Sequence, residues 1–80
     1  MRADDLLSLV KPDTFRPFRI AMSYGTTYEV TYPQLALVEP LYITLGIPGP
    51  RGPDAPLERI VHIALRHINS IEFIRGATVA

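Results

Sequence analysis

Eighty residues carry eight basic and eight acidic side chains, no net formal charge and no cysteine. That balance argues against a nonspecific nucleic-acid binder with a broad basic surface. Without thiols, neither a disulfide nor a thiolate metal site can supplement the core.

The length makes one domain, residues 1–80. A chain this short buries only about 60–65% of the surface its unfolded form exposes. Because 48% of its residues are apolar, some of that surface is expected to meet another subunit. The start, Met1-Arg2-Ala3-Asp4-Asp5, does not read as a signal peptide: acids interrupt it and the apolar run that follows is short. No stretch approaches the roughly 18 apolar residues that span a bilayer. A soluble, cytoplasmic protein without a membrane partner is expected.

The first element is a short helix over about residues 3–10. Ala3, Leu6, Leu7 and Val10 fall on one face, Asp4 and Asp5 suit its N-terminus, and Pro12 ends the pattern. Phe18, Ile20 and Met22 then alternate with Arg19, Ala21 and Ser23 as a half-buried strand. Tyr24-Gly25 supplies a turn in which glycine is free to take a positive φ. Tyr28, Val30 and Tyr32 alternate along a second strand, which Pro33 stops. The segment from Pro33 to Pro40 fits either a bent continuation of that strand or a single helical turn.

Leu41, Ile43, Leu45 and Ile47 mark a third strand. Residues 48–56 hold four prolines and two glycines, which reads as a proline-stiffened loop that joins two antiparallel neighbours as a protruding arm. The fourth strand, Ile60 to Arg66, is apolar on most of both faces and is expected to be covered on both sides. Arg66 to Ser70 fits a tight polar turn, Ile71 to Arg75 a fifth strand, and residues 76–80 a tail.

Helix and five short strands with one tight fourth-to-fifth connection is the order of the Sm-like barrel. Two segments carry the resemblance to Hfq-type RNA chaperones within that group. One runs from Asp4-Asp5-Leu6-Leu7 through Pro17-Phe18-Arg19-Ile20-Ala21-Met22-Ser23-Tyr24-Gly25. The other is Leu65-Arg66-His67-Ile68-Asn69-Ser70-Ile71, similar to the family's second motif, with Arg66 in place of its lysine and Leu65 in place of its aromatic. The runs FRPFRI and YEVTYPQ also resemble short uncharacterised bacterial proteins of similar length.

The Sm-like resemblance implies a mainly β fold: an N-terminal helix followed by a five-stranded, strongly bent antiparallel Sm/SH3-like barrel. It implies a ring of identical copies in which the fourth strand of one subunit pairs with the fifth of the next, removing both exposed edges. Ile60, Val61, His62, Ile63, Ile71 and Phe73 would then form the oligomer interface. It also implies single-stranded RNA as partner. Arg66 would neutralise phosphate, His67 would stack on or hydrogen-bond a base, Asn69 and Ser70 would add polar contacts, and Tyr24 would stack. The plainer alternative is that these polar groups satisfy the turn's own backbone, in a protein-interaction or structural homo-oligomer with no nucleic-acid role.

No catalytic constellation stands out, and neither an enzyme nor a cofactor is expected. His62 and His67 are five apart and would not share a strand face, so they make no metal pair. Nothing brings two of Glu29, Glu39, Glu58 and Glu72 together for acid–base work, and no serine has an elbow or a base at sensible placement. The PGPRGP run is too rich in proline to cradle phosphate with its N–H groups.

Overall fold

The computed structural model describes residues 2–74 of the chain. Arg75, the expected end of the last strand, and the expected tail lie outside them. The fold is mainly β: helix α1 (Ala3–Leu9) precedes strands β1 (Phe18–Met22), β2 (Thr27–Val30), β3 (Ala36–Val38), β4 (Tyr42–Gly49), β5 (Gly52–Ala64) and β6 (Ile68–Phe73). The six strands form two antiparallel three-stranded sheets, in the orders β2-β1-β6 and β3-β4-β5. The sequence predicts five strands in one barrel; among the described residues there is no closed barrel. Nor is any helix there long and apolar enough to cross a membrane.

Two 3₁₀ turns carry the chain between sheets. Pro33–Leu35 leads from β2 to β3. A proline cannot donate to a strand ladder, but at the first position of a helical turn its missing N–H would have no partner anyway. This is why the expected second strand breaks there. Leu65–His67 leads back from β5 to β6.

The Pro/Gly arm joins two antiparallel neighbours, β4 and β5, as the tip of a β-hairpin, with strand pairing reaching into it. Gly49 faces Gly52 across Pro50-Arg51, and Gly52 takes φ +92°. The same device turns β1 into β2: Gly25 N–H donates to Met22 C=O at 3.1 Å, Met22 N–H to Thr26 C=O at 2.8 Å, and Gly25 has φ +95°. Both match a tight turn closed by a left-handed glycine. Below the tip the register slips. Pro48 faces Leu57 and Gly49 faces Gly52, so Pro53, Asp54, Ala55 and Pro56 stand on β5 without an opposite residue. The two prolines of that stretch therefore cost no ladder bond.

The core fills the space between the sheets. Phe18, Ile20, Met22 and Val30 enter from one, Ile43, Leu45 and Ile63 from the other, with Leu65 at the corner and Leu6 from α1. The helix docks on Leu6 alone among its fully buried side chains, while Leu7, expected on the same face, is 47% exposed. Seven residues cannot hold a helix in water unaided, so α1 persists through the packing of Leu6, with Ala3, Leu9 and Val10 beside it, against the core. On the opposite face of β1, Arg19 bridges its cross-strand neighbours Glu29 (3.0 Å) and Glu72 (2.9 Å), which raises its pKa further. These ion pairs are solvent-exposed and add little stability.

Among the described residues, each sheet has one strand edge at the Leu65–His67 corner without a partner: β5 in one, β6 in the other.

Candidate functional site

The Leu65–His67 turn is clamped on both sides. Leu65 N–H donates to Leu41 C=O at 3.0 Å, and Ser23 N–H donates to His67 C=O at 2.8 Å. The buried Leu65 side chain anchors the turn from inside, leaving Arg66 and His67 to face solvent. The Ser23 bond draws the β1–β2 turn against the corner. It sets the Tyr24 ring edge-on to His67, with centroids 6.4 Å apart at 73°. The Arg66 Nε lies 3.5 Å from His67 Nε2, at the outer limit of a hydrogen bond. Tyr24, Arg66 and His67, distant in sequence, thus form one surface cluster. Tyr24 is 62% exposed. What burial it has, and then the neighbouring Tyr28 phenol, raise its pKa above the ordinary tyrosine value.

Asn69 and Ser70 are exposed but belong to β6, not to the turn, which ends at His67. Ser70 faces Ala21 and Ile68 faces Met22, so Asn69 is the extra residue of a β-bulge. The bulge keeps Asn69 beside the cluster and out of the ladder.

The six expected interface residues divide by face. Ile60 and His62 project from the outer face of β5, where Ile60 is 65% exposed. Among the described residues nothing covers Ile60 on this outer face. Ile63 is buried, and Val61 and Ile71 pack against the core. At these positions only the backbone edge is open. Phe73 is partly exposed, with the Arg16 guanidinium 4.2 Å from its ring centroid.

A pocket of ≈ 280 Å³ adjoins the corner, walled by Pro40, Leu41, Tyr42, Ala64 and Leu65 with Arg66 at its polar side. Alternation along the third strand does not reveal this placement of Tyr42, which reads in sequence as sheet packing. The register pairs Tyr42 with Ala64 and Thr44 with His62, which stacks the Tyr42 ring on His62 at 4.5 Å and 21°. Thr44 Oγ1 donates to Glu39 Oε1 at 3.2 Å and sits 2.8 Å from His62 Nδ1. Together with the stacked Tyr42 ring, this contact holds the His62 imidazole in place on the sheet. Only the pairing of β4 with β5 creates this group. Among the described residues no three His, Asp or Glu side chains converge on a metal position.

Taken together, the corner offers an exposed aromatic ring beside an imidazole, and a guanidinium that also borders an apolar recess. Such a surface can stack a flat ring and hold an anion next to it. No family model matches the chain, and no curated protein or solved structure matches it significantly.

Proposed function

We propose that the chain is a noncatalytic, Sm-like binding module that assembles from identical copies and takes single-stranded RNA at the Tyr24–Arg66–His67 corner. One observation carries the reading: the tertiary structure brings Tyr24 beside His67, at the corner where both unpaired edges begin. Pairing β5 of one copy with β6 of the next would remove both edges and repeat the corner around an axis. The strand order supports the Sm-like part. With β2 and β3 taken as halves of one strand bent at Pro33, the order is β6-β1-β2/β3-β4-β5, that of a five-stranded Sm-like barrel. A cytoplasmic location goes with this reading.

The second reading, a protein-interaction or structural oligomer without RNA, is favoured by a different observation. Leu37 and Ile60 stand exposed on the outer face of the β3-β4-β5 sheet, and the formal charge is zero.

Light scattering on the intact protein and anisotropy of a labelled single-stranded RNA separate the two. The RNA reading expects an oligomer that binds RNA with an affinity falling as salt rises. Tyr24→Ala should weaken binding by about 5- to 100-fold, the worth of one stacked base, and Arg66→Ala should weaken it and flatten the salt dependence without changing the assembly. An oligomer indifferent to RNA would leave the second reading standing. A monomer would remove both.

A further inference from the structure

We infer that copies of this chain also dock head to tail, the Pro50-Arg51 hairpin tip of one seated in the groove between α1 and the β3–β4 turn of the next. The groove has a volume of ≈ 520 Å³, within the range of built recognition sites. Leu7, Val38 and Pro40 make its apolar walls, and Asp4 and Glu39 set two carboxylates against the one guanidinium of Arg2. Asp4 has no ion-pair partner among the described residues, and Glu39 commits one oxygen to the Thr44 hydroxyl. The groove therefore suits a single cation carried on a small apolar support.

The hairpin tip is such a group. Pro50 and Arg51 are exposed, and Arg51 has no ion-pair partner among the described residues. Proline fixes one tip residue's φ, and the positive φ of Gly52 closes the turn. A tip held this way loses little conformational freedom on docking, so less of the contact energy is spent on ordering it. Arg51 is flanked by Pro50 on one side and, beyond Gly52, by Pro53 on the other, which match the apolar walls on either side of the carboxylates.

Position decides between self-filling and association. The groove ends at Pro40, two residues before β4 begins, and the tip starts where β4 ends at Gly49. Eight extended residues separate them by about 26 Å, in a molecule whose longest dimension is 31 Å. A chain cannot close on itself, whereas one copy's tip faces away from its groove as a head-to-tail contact needs. Such a heterologous contact generates a stack or filament unless its rotation closes. It uses neither the β5 and β6 edges nor the Tyr24–Arg66–His67 corner.

Charge reversal tests this with the protein alone. Sedimentation velocity across a concentration series should show the wild type growing beyond any fixed oligomer. Arg51→Glu and Asp4→Arg should each weaken that growth at least about tenfold, because each puts like charges together. An equimolar mixture of the two variants should regain it. In the mixture the acidic tip of the Arg51→Glu protein meets the basic groove of the Asp4→Arg protein, and the unaltered tip of the second meets the unaltered groove of the first. Circular dichroism checks the folds; if either reversal unfolds the chain, Arg51→Gln and Asp4→Asn replace it for the loss of growth alone, and each should still weaken that growth. A wild-type mass independent of concentration, an Arg51→Glu protein that associates normally, or a mixture no larger than its components would each overturn the inference. RNA affinity measured on Arg51→Glu should equal the wild type, which keeps failure of this contact separate from failure of the RNA corner.

Discussion

Leu65→Ala should unfold the protein far more readily and also blunt the corner, although no exposed atom of the corner is removed. The Leu65 side chain is 3% exposed and lies in the shared core. Its truncation loses three buried carbons, about 2.4 kcal/mol of transfer free energy at roughly 0.8 per group. The cavity left behind raises the loss to about 3 kcal/mol, within the range of roughly 2–5 seen for such changes. A domain of this length has a total stability of about 4–12 kcal/mol at roughly 0.05–0.15 per residue, so the loss is a large fraction of the whole. At about 4–8 °C per kcal/mol the melting temperature should fall by about 12–24 °C. Leu65→Met keeps the volume and should cost less than about 1.5 kcal/mol. Thermal melts at one fixed protein concentration give the comparison, since self-association would otherwise move the midpoint. Arg66 and His67 follow Leu65 directly, so on the proposed RNA reading affinity for single-stranded RNA should drop in Leu65→Ala and recover in Leu65→Met. A melting temperature within a degree or two of wild type, or equal damage from the methionine, would refute the idea that packing of this one side chain holds the corner.

Two further outcomes follow from the turns. Gly25→Ala and Gly52→Ala should each cost about 1–2 kcal/mol in denaturant unfolding. Their φ angles of +95° and +92° strain any β-carbon, while nothing within 4 Å would obstruct one. Asparagine at either site should therefore recover part of the loss, which a steric clash would not allow. For pH, the folded chain holds the Tyr24 proton more tightly than the unfolded chain does, because the phenol's pKa is raised. Its contribution to stability is complete below the ordinary tyrosine value of about 10 and is lost as the pH climbs through the raised value. A tyrosinate absorbance titration should show a late component that Tyr24→Phe removes; if Tyr24→Phe removes an early one, the packing ascribed to this ring is wrong.

Much of the architecture is legible in local order. Alternation at Phe18, Ile20 and Met22 and at Ile43 and Leu45 identifies the buried face of β1 and of β4, and these side chains are in the core, as are Ile63 and Leu65. The turn at Gly25 and the helix over Ala3–Leu9 are readable for the same reason: a left-handed glycine and a period near four residues are local requirements. The candidate cluster is half legible. Arg66 and His67 stand out as a basic pair before a return strand, but Asn69 and Ser70 belong to that strand, because the 3₁₀ turn uses only three residues.

Proline and glycine composition marks 48–56 as an arm but does not show where pairing stops: Pro48 still faces Leu57, and Gly49 faces Gly52. Ladder bonds depend on which residues face each other, and the register leaves Pro53 and Pro56 in the stretch with no opposite residue. Helix phase misleads at Leu7 for a related reason: a two-turn stripe cannot say which of its members reaches the sheet beneath.

Composition and spacing by themselves determined a small, mainly β chain with one docked helix and a basic turn near its end, because those properties depend on neighbours along the chain. Tertiary structure alone decided that the strands on either side of Pro33 belong to two different sheets, that Tyr24 and Tyr42 flank the Leu65–His67 corner, and that β5 leaves Ile60 exposed to solvent. Those outcomes depend on the register between distant strands, and a strand apolar on both sides carries no local mark of which side its own core will cover.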